Sequence, residues 1–104
     1  MASVELTVLD KAIELLKKGW TRGAFARDWE GEEVAPSSNK ACCWCILGAL
    51  QASEVERTVP IRSALQCYLQ KVTGYDLIPH FNDQVCGSDD EAIRTLEAIR
   101  PQFA

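Results

Sequence analysis

The stretch Asn39–Ser53, NKACCWCILGALQAS, carries no charged side chain between Lys40 and Glu54 and holds three cysteines within four positions. Charged residues make up 25% of the chain. A segment of helix length without charge is therefore typical of an element that other elements surround. The stretch predicts a central, buried helix, and it also raises the question of whether its cysteines pack or react.

Two further features of this stretch support a central helix. Asn39 is a favourable N-cap, because its side chain can accept hydrogen bonds from the free N–H groups of a first turn. Gly48, Ala49 and Ala52 form a flank of small residues, which another backbone can approach closely. We expect the helix to begin after Asn39.

Three other segments have helical periodicity or helical caps. The first runs over residues 4–18, the second begins near Pro60 and ends at Gly74, and the third is capped by Ser88 and ends at Pro101. In the second of these helices the predicted inward positions are Ile61, Leu65, Leu69 and Val72, and in the last they are Ile93, Leu96 and Ile99.

The segments between these helices lack a clear period. Residues 26–35, ARDWEGEEVA, could form a short two-stranded ribbon that turns near Glu30 and Gly31, with Phe25, Trp29 and Val34 facing inward. Residues 75–87 are apolar, contain a proline and indicate a partly buried loop or a short strand. The predicted fold is mainly α: a compact four-helix single domain spanning residues 1–104, with a long loop or short β-ribbon between helices 1 and 2.

Composition excludes several classes of function. The net charge of −4 and a pI near 4.9 argue against direct nucleic-acid binding, which needs clustered basic residues. No apolar run is long enough to cross a membrane, and the first residues do not form a signal-peptide pattern. Five cysteines without an export signal indicate free thiols in the cytoplasm.

Three short segments together resemble a small domain family of unknown function that occurs in bacteria and their phages. The first has the pattern GWT-x-G-x-x-A-x-D and runs from Gly19 to Asp28. The second has the pattern WC-x-LGAL and begins at Trp44, and the third is Phe81-Asn82-Asp83. The resemblance implies a compact, mainly helical domain and brings no activity with it. Cys42, Cys43, Cys67, His80 and Cys86 lie outside the family-like positions.

A zinc site is one possible interpretation of the cysteines. Cys42 and Cys45 have the C-x2-C spacing of a zinc knuckle. Further ligands would come from Cys43, Cys67, His80 and Cys86. A structural zinc site usually needs a second close pair, which is missing, and free cysteine is often a buried, small hydrophobic residue. We expect no metal and no other cofactor.

A second interpretation makes Cys45 a nucleophile near a helix N-terminus, with His80 as the base and Asn82 or Asp83 as the orienting group. Against it, Cys45 would lie more than a turn inside a helix capped by Asn39. Asn82 and Asp83 can also simply close a turn. We therefore assign no catalytic residue and keep a small cysteine-dependent hydrolase or transferase as the alternative.

A third interpretation is a ligand pocket that Asn82 and Asp83 would line together with Trp20, Asp28 and Trp44. The tryptophans are more simply explained as core anchors. The preferred function is a non-enzymatic accessory domain that binds a partner protein or forms a homodimer. A weaker alternative is an acidic inhibitor of a host nucleic-acid-binding complex, for which −4 is a modest charge.

Overall fold

The structure is a computed structural model that describes residues 4–54, 58–74 and 77–103. In chain order the elements are α1 (Val4–Lys18), β1 (Ala26–Arg27), β2 (Cys43–Trp44), α2 (Ile46–Glu54), α3 (Thr58–Thr73), α4 (Ile78–His80), a π-helical turn (Phe81–Val85), α5 (Asp89–Ile99) and a 3-10 turn (Arg100–Phe103). The prediction of a mainly α fold is confirmed. The predicted helix count was wrong, because the described residues form five α-helical segments and not four.

The long helices pack around one hydrophobic core. α1 contacts α2, α3 and α5, and it buries the apolar face that its sequence predicts. The buried side chains of α1 are Leu6, Val8, Leu9, Ala12, Ile13 and Leu16. Within the described ranges, no helix is long and apolar enough to span a membrane.

The centre of the fold differs from the prediction in where α2 begins. The helix starts at Ile46 and not after Asn39, because the residues before it pair with other segments of backbone. β2 pairs antiparallel with β1, and the Trp44 N–H donates to the Gly19 carbonyl at 3.0 Å. A backbone that makes these non-local hydrogen bonds cannot also make the local bonds of a first helical turn. Asn39 is exposed and does not cap α2.

The predicted close approach at the small-residue flank is confirmed. A Cβ atom on Gly48 would lie 1.9 Å from the Phe25 carbonyl oxygen, so the backbone just before β1 packs directly on α2. The Cys45 N–H donates to the same carbonyl at 3.1 Å. Gly48 therefore fixes the distance between α2 and the connection that follows α1.

The connection between α1 and α2 contains a ribbon, but its strands and its inward residues differ from the prediction. β1 pairs with β2, and a single bridge joins Arg27 to Glu33 around a turn at residues 28–31. Ala26 is the buried residue of β1, whereas Phe25 is 47% exposed and Trp29 is 82% exposed. The predicted inward orientation was wrong for both aromatic residues and right for Val34, which packs against the core. Alternation along β1 explains Phe25, because its neighbour Ala26 takes the inward position.

The segment predicted as a loop or short strand is helical where the structure describes it, and residues 75 and 76 lie outside the described ranges. α4 and the π-helical turn run without a break from Ile78 to Val85. Pro79 stands in the first turn of α4, where a missing N–H leaves no intrahelical bond unmade. The Cys86 N–H donates to the Phe81 carbonyl at 2.9 Å, which widens the last turn and gives it its π character.

The remaining helices largely follow their predicted faces. Ile61, Leu65 and Leu69 of α3 are buried, but Val72 is 61% exposed and its predicted inward position was wrong. The predicted cap of α5 is confirmed, since Ser88 Oγ accepts a hydrogen bond from the Glu91 N–H at 3.3 Å. The inward positions predicted for α5 (Ile93, Leu96 and Ile99) are all buried.

Candidate functional site

Asn82 is a fully buried polar residue, and all of its side-chain hydrogen-bonding groups have partners. Its Oδ1 accepts from the Trp20 Nε1–H at 2.8 Å and from the Ile46 N–H at 3.1 Å. Its Nδ2 donates to the Thr21 carbonyl at 3.0 Å and to Asp83 Oδ1 at 3.0 Å. One side chain thereby joins the π-helical turn, the start of α2 and the segment after α1.

Asp83 extends this network toward the surface. Its Oδ1 accepts from the Gly23 N–H at 3.0 Å as well as from Asn82. Gly23 adopts a positive φ of 75°, a conformation that favours glycine, and this geometry turns its N–H toward the carboxylate. The family-like residues Asn82 and Asp83 thus hold the loop that begins at Trp20.

Cys45 stands immediately before α2 and caps it. Its carbonyl accepts from the Ala49 N–H at 2.8 Å, and its Sγ accepts from the Gly48 N–H at 3.2 Å. Burial raises the pKa of the Cys45 thiol; the Gly48 N–H partly offsets this, and the negative charge of Asp83 raises the pKa further. The thiol is therefore neutral at pH 7 even though it lies at a helix N-terminus.

A cavity of about 240 Å³ opens beside Cys45 and Asp83. Its apolar walls come from Ala24, Phe25 and Pro79, and Gly23 completes the lining together with a second carboxylate, Glu33. The cavity unites the loop after α1, the ribbon, the start of α2 and the α4 turn. It is smaller than a typical pocket for a drug-sized ligand, which measures roughly 300–1,000 Å³.

The two carboxylates of the cavity have no cationic partner among the described residues, in which the ion pairs are Glu14–Lys17 and Asp10–Arg100. The nearby guanidinium of Arg27 is directed elsewhere. It donates to Thr21 Oγ1 at 3.2 Å, to the Gly31 carbonyl at 2.9 Å and to the Arg22 carbonyl at 3.3 Å. The two charged residues that line the cavity are both acidic.

The residues considered for thiol catalysis are only partly brought together. Cys45 and Asp83 line one cavity, and Asn82 lies behind Asp83. His80 is exposed at the end of α4 and does not line this cavity. Asn82 uses its side chain to join three segments, which is a structural role in the described network.

The residues considered as ligand-binding have structural partners in the fold. Trp44 is buried and its Nε1–H donates to the Pro36 carbonyl at 3.0 Å. Trp20 donates to Asn82, and Arg22 lies 5.2 Å from the centre of the Trp20 ring. Asp28 Oδ1 accepts from the N–H groups of Glu30 and Glu32, both at 2.9 Å, and so closes the ribbon turn. Trp20, Asp28 and Trp44 do not line the cavity beside Cys45.

The five cysteines are all free. Cys42 is exposed whereas Cys45 is buried, so the two members of the C-x2-C pair lie in different environments. The described part of the chain contains no group of three or more His, Cys, Asp or Glu side chains that could hold a metal ion.

Sequence reasoning missed Phe25, Glu33 and Pro79 as residues of one site. Glu33 has no motif around it, and Phe25 had been placed in the core. Their convergence depends on the register of β1 and on the helical form of residues 78–85. Three lining residues do carry a sequence signal: Cys45 and Asp83 are candidate site residues, and Gly23 belongs to the segment that begins at Gly19.

The fold and the site define a small, mainly helical domain in which a buried asparagine ties a tryptophan-containing loop to the start of a central helix. The sequence profile of a family of unknown function (DUF6197) matches residues 3–100, and the chain belongs to that family. No curated protein and no solved structure matches the chain.

Proposed function

We propose that this protein is a non-enzymatic binding domain that contacts a partner protein through its hairpin surface, which we define as Phe25, Trp29 and Glu33. The observation that carries the proposal is Trp29, whose side chain is 82% exposed at the turn of the ribbon. Tryptophan buries a large area at low entropic cost and is enriched among the residues that dominate binding energy. Tryptophan side chains in folded domains are on average largely buried, so an exposed fraction this high is uncommon.

The position of Phe25 supports the same surface. Phe25 is 47% exposed and forms one wall of the cavity beside Cys45. In the described part of the chain the exposed large hydrophobic residues are Val4, Phe25, Trp29, Val72 and Leu77. The two aromatic members of this set belong to the same connection: Phe25 directly precedes β1, and Trp29 lies in the turn that follows it.

Hydrogen bonds within the turn that presents Trp29 fix its conformation. Asp28 accepts two backbone N–H groups within the turn, and Arg27 donates to the Gly31 carbonyl at 2.9 Å. A preorganised turn loses less conformational freedom on binding than a flexible one does. This order favours a binding role for the exposed indole ring.

Quantitative affinity capture tests the proposal. The tagged wild-type domain, Trp29→Ala and Val72→Ala are used to capture proteins from lysates of the cells that encode the domain. We expect at least one protein whose recovery falls about tenfold or more with Trp29→Ala and is unchanged with Val72→Ala, which removes a comparably exposed apolar side chain on α3. Equal recovery with all three baits would overturn the proposal.

The partner class includes a second copy of the domain. Sedimentation velocity separates this case: concentration-dependent dimerisation that Trp29→Ala abolishes would identify the partner as the same chain. A monomer at all concentrations directs the search to a different protein. We further propose a cytoplasmic protein without direct nucleic-acid contacts, which the free thiols and the acidic net charge support. A bacterial or phage type is proposed from the resemblance of the three short segments alone.

A cysteine-dependent enzyme is the second candidate function, and one observation favours it: Cys45 and Asp83 line the same cavity. The direction of the Cys45 pKa shift opposes it, because burial and the Asp83 charge both disfavour the reactive thiolate. Labelling of Cys45, described in the Discussion, separates the two candidates.

A further inference from the structure

The cavity beside the hairpin surface has the chemistry of a receptor for one basic side chain. Its charged lining groups are Glu33 and Asp83, and its apolar walls include Phe25 and Pro79. A volume of about 240 Å³ suits a single long side chain better than a cofactor-sized ligand.

The carboxylates are available to such a side chain. Both hydrogen bonds that Asp83 accepts use Oδ1, from Gly23 and from Asn82. Among the described residues neither Asp83 nor Glu33 forms an ion pair. Two uncompensated carboxylates at a partly enclosed, apolar-walled cavity favour a cation and oppose an anion.

The other charges around the cavity do not fill this role. A Cβ atom on Gly23 would lie 3.4 Å from Arg27 Nη2, so the Arg27 guanidinium lies close to this lining glycine, but among the described residues it forms no ion pair with Asp83 or Glu33. Its hydrogen bonds run to the oxygens of Thr21, Arg22 and Gly31. A metal ion is a poor occupant, because no cluster of three ligating side chains exists within the described residues.

We propose that the cavity binds an arginine side chain of the partner protein while Trp29 packs against the partner surface beside it. The inference rests on the proposed function and names the chemistry of the partner. A guanidinium matches the site better than an ammonium ion, because it can bridge two carboxylates and stack its plane on the exposed ring of Phe25. Cys45, which also lines the cavity, adds no charged side chain to it at pH 7.

The test uses the free domain and a small probe. N-acetyl-arginine amide is titrated into the 15N-labelled protein, and N-acetyl-citrulline amide, which has nearly the same shape without the charge, is the matched control. With the arginine probe we expect the amide signals of Gly23, Ala24 and Cys45 to shift and to saturate, with a dissociation constant of about 1–10 mM. With the citrulline probe we expect no shift that saturates. N-acetyl-lysine amide is expected to bind more weakly than arginine.

Two variants locate the binding. Glu33→Gln is expected to weaken the arginine probe about fivefold or more, whereas Glu30→Gln, an exposed acid of the same ribbon outside the cavity, should leave it unchanged. Equal response to arginine and citrulline, the absence of saturation, or equal binding by both variants would overturn the inference.

The outcome is separable from that of the capture experiment. If partner capture depends on Trp29 but the cavity does not bind the arginine probe, the proposed binding function is supported and the arginine site is overturned. If the cavity binds the arginine probe but capture does not depend on Trp29, the arginine site is supported and the proposed binding surface is overturned.

Discussion

At the scale of single residues, Asn82 determines how the site is assembled. It is fully buried, and its side chain satisfies an indole N–H, a helix N-terminal N–H and a loop carbonyl at once. A buried amide with all partners in place specifies one arrangement, because any other would leave polar groups without hydrogen bonds. Asn82 of the π-helical turn therefore connects three segments of the fold beside the cavity.

Replacing Asn82 by alanine tests this role. Asn82→Ala strands the Trp20 Nε1–H, the Ile46 N–H and the Thr21 carbonyl, and each buried unsatisfied group costs about 1–3 kcal/mol. We expect the free energy of unfolding, measured by urea denaturation, to fall by about 3 kcal/mol or more. Asn39→Ala, at an exposed asparagine, should change it by less than about 0.5 kcal/mol. Equal losses in the free energy of unfolding for Asn82→Ala and Asn39→Ala would contradict this structural role of Asn82.

The reactivity of Cys45 decides between a binding domain and a thiol enzyme. Because the Cys45 thiol is buried and its pKa is raised, we expect iodoacetamide at pH 7 to label the exposed Cys67 at least about tenfold faster in the folded protein. Peptide mass spectrometry gives both rates. Preferential labelling of Cys45 that His80→Ala slows would favour the enzyme instead.

The raised pKa of Cys45 also predicts a pH dependence of stability. The folded state holds the thiol proton of Cys45 more tightly than the unfolded state does. The resulting contribution to the free energy of unfolding is fully present below the ordinary thiol pKa of 9.0, and it is lost as the pH rises through the higher pKa of the folded state. We expect urea midpoints to fall between pH 8 and pH 10, and to fall less for Cys45→Ser than for wild type. Cys67→Ser is the control, and a loss equal in all three proteins would refute the link.

At the scale of elements, the contact between α2 and the backbone before β1 sets the geometry of the cavity. Gly48 admits the Phe25 carbonyl, and the Phe25 side chain then points outward as a cavity wall. The small-residue flank of the charge-free segment predicted this approach. The segment that would occupy the space could not be predicted, because strand pairing between residues far apart leaves no local periodic signal.

Gly48→Ala measures the importance of that contact. A Cβ at 1.9 Å from a carbonyl oxygen requires α2 or β1 to move, so we expect a loss of at least about 3 kcal/mol in the free energy of unfolding. Gly87→Ala is the matched control, since its nearest neighbour would be the flexible Glu91 carboxylate at 3.4 Å. A loss no larger than that of Gly87→Ala would show that the two segments do not meet as described.

The same physical distinction separates what the sequence predicted from what it did not. Helical periodicity and caps predicted α1, most of α3 and the Ser88 start of α5, because these signals lie within one element. The predicted start of α2 was wrong. Backbone groups that would bond within a helix from Asn39 pair instead with β1 and with the Asn82 side chain. The predicted inward orientation of Phe25 and Trp29 was wrong, because hydrophobicity alone does not separate a core residue from an exposed one.

In the molecule as a whole, the apolar faces of the helices fill one core. The surface with exposed aromatic side chains lies on the connection between α1 and α2. Among the described residues, that connection carries the exposed aromatic residues Phe25 and Trp29. It also supplies all the residues that line the cavity except Pro79 of α4 and Asp83 of the π-helical turn. A scaffold of helices that positions a structured loop is a common arrangement for binding proteins.

The domain is proposed to bind its partner through the hairpin surface, and the recovery of partner proteins on the Trp29→Ala bait relative to wild type tests this claim. We predict a loss of about tenfold or more for at least one captured protein, with Val72→Ala retaining full recovery. Identical recovery on all baits would contradict the claim.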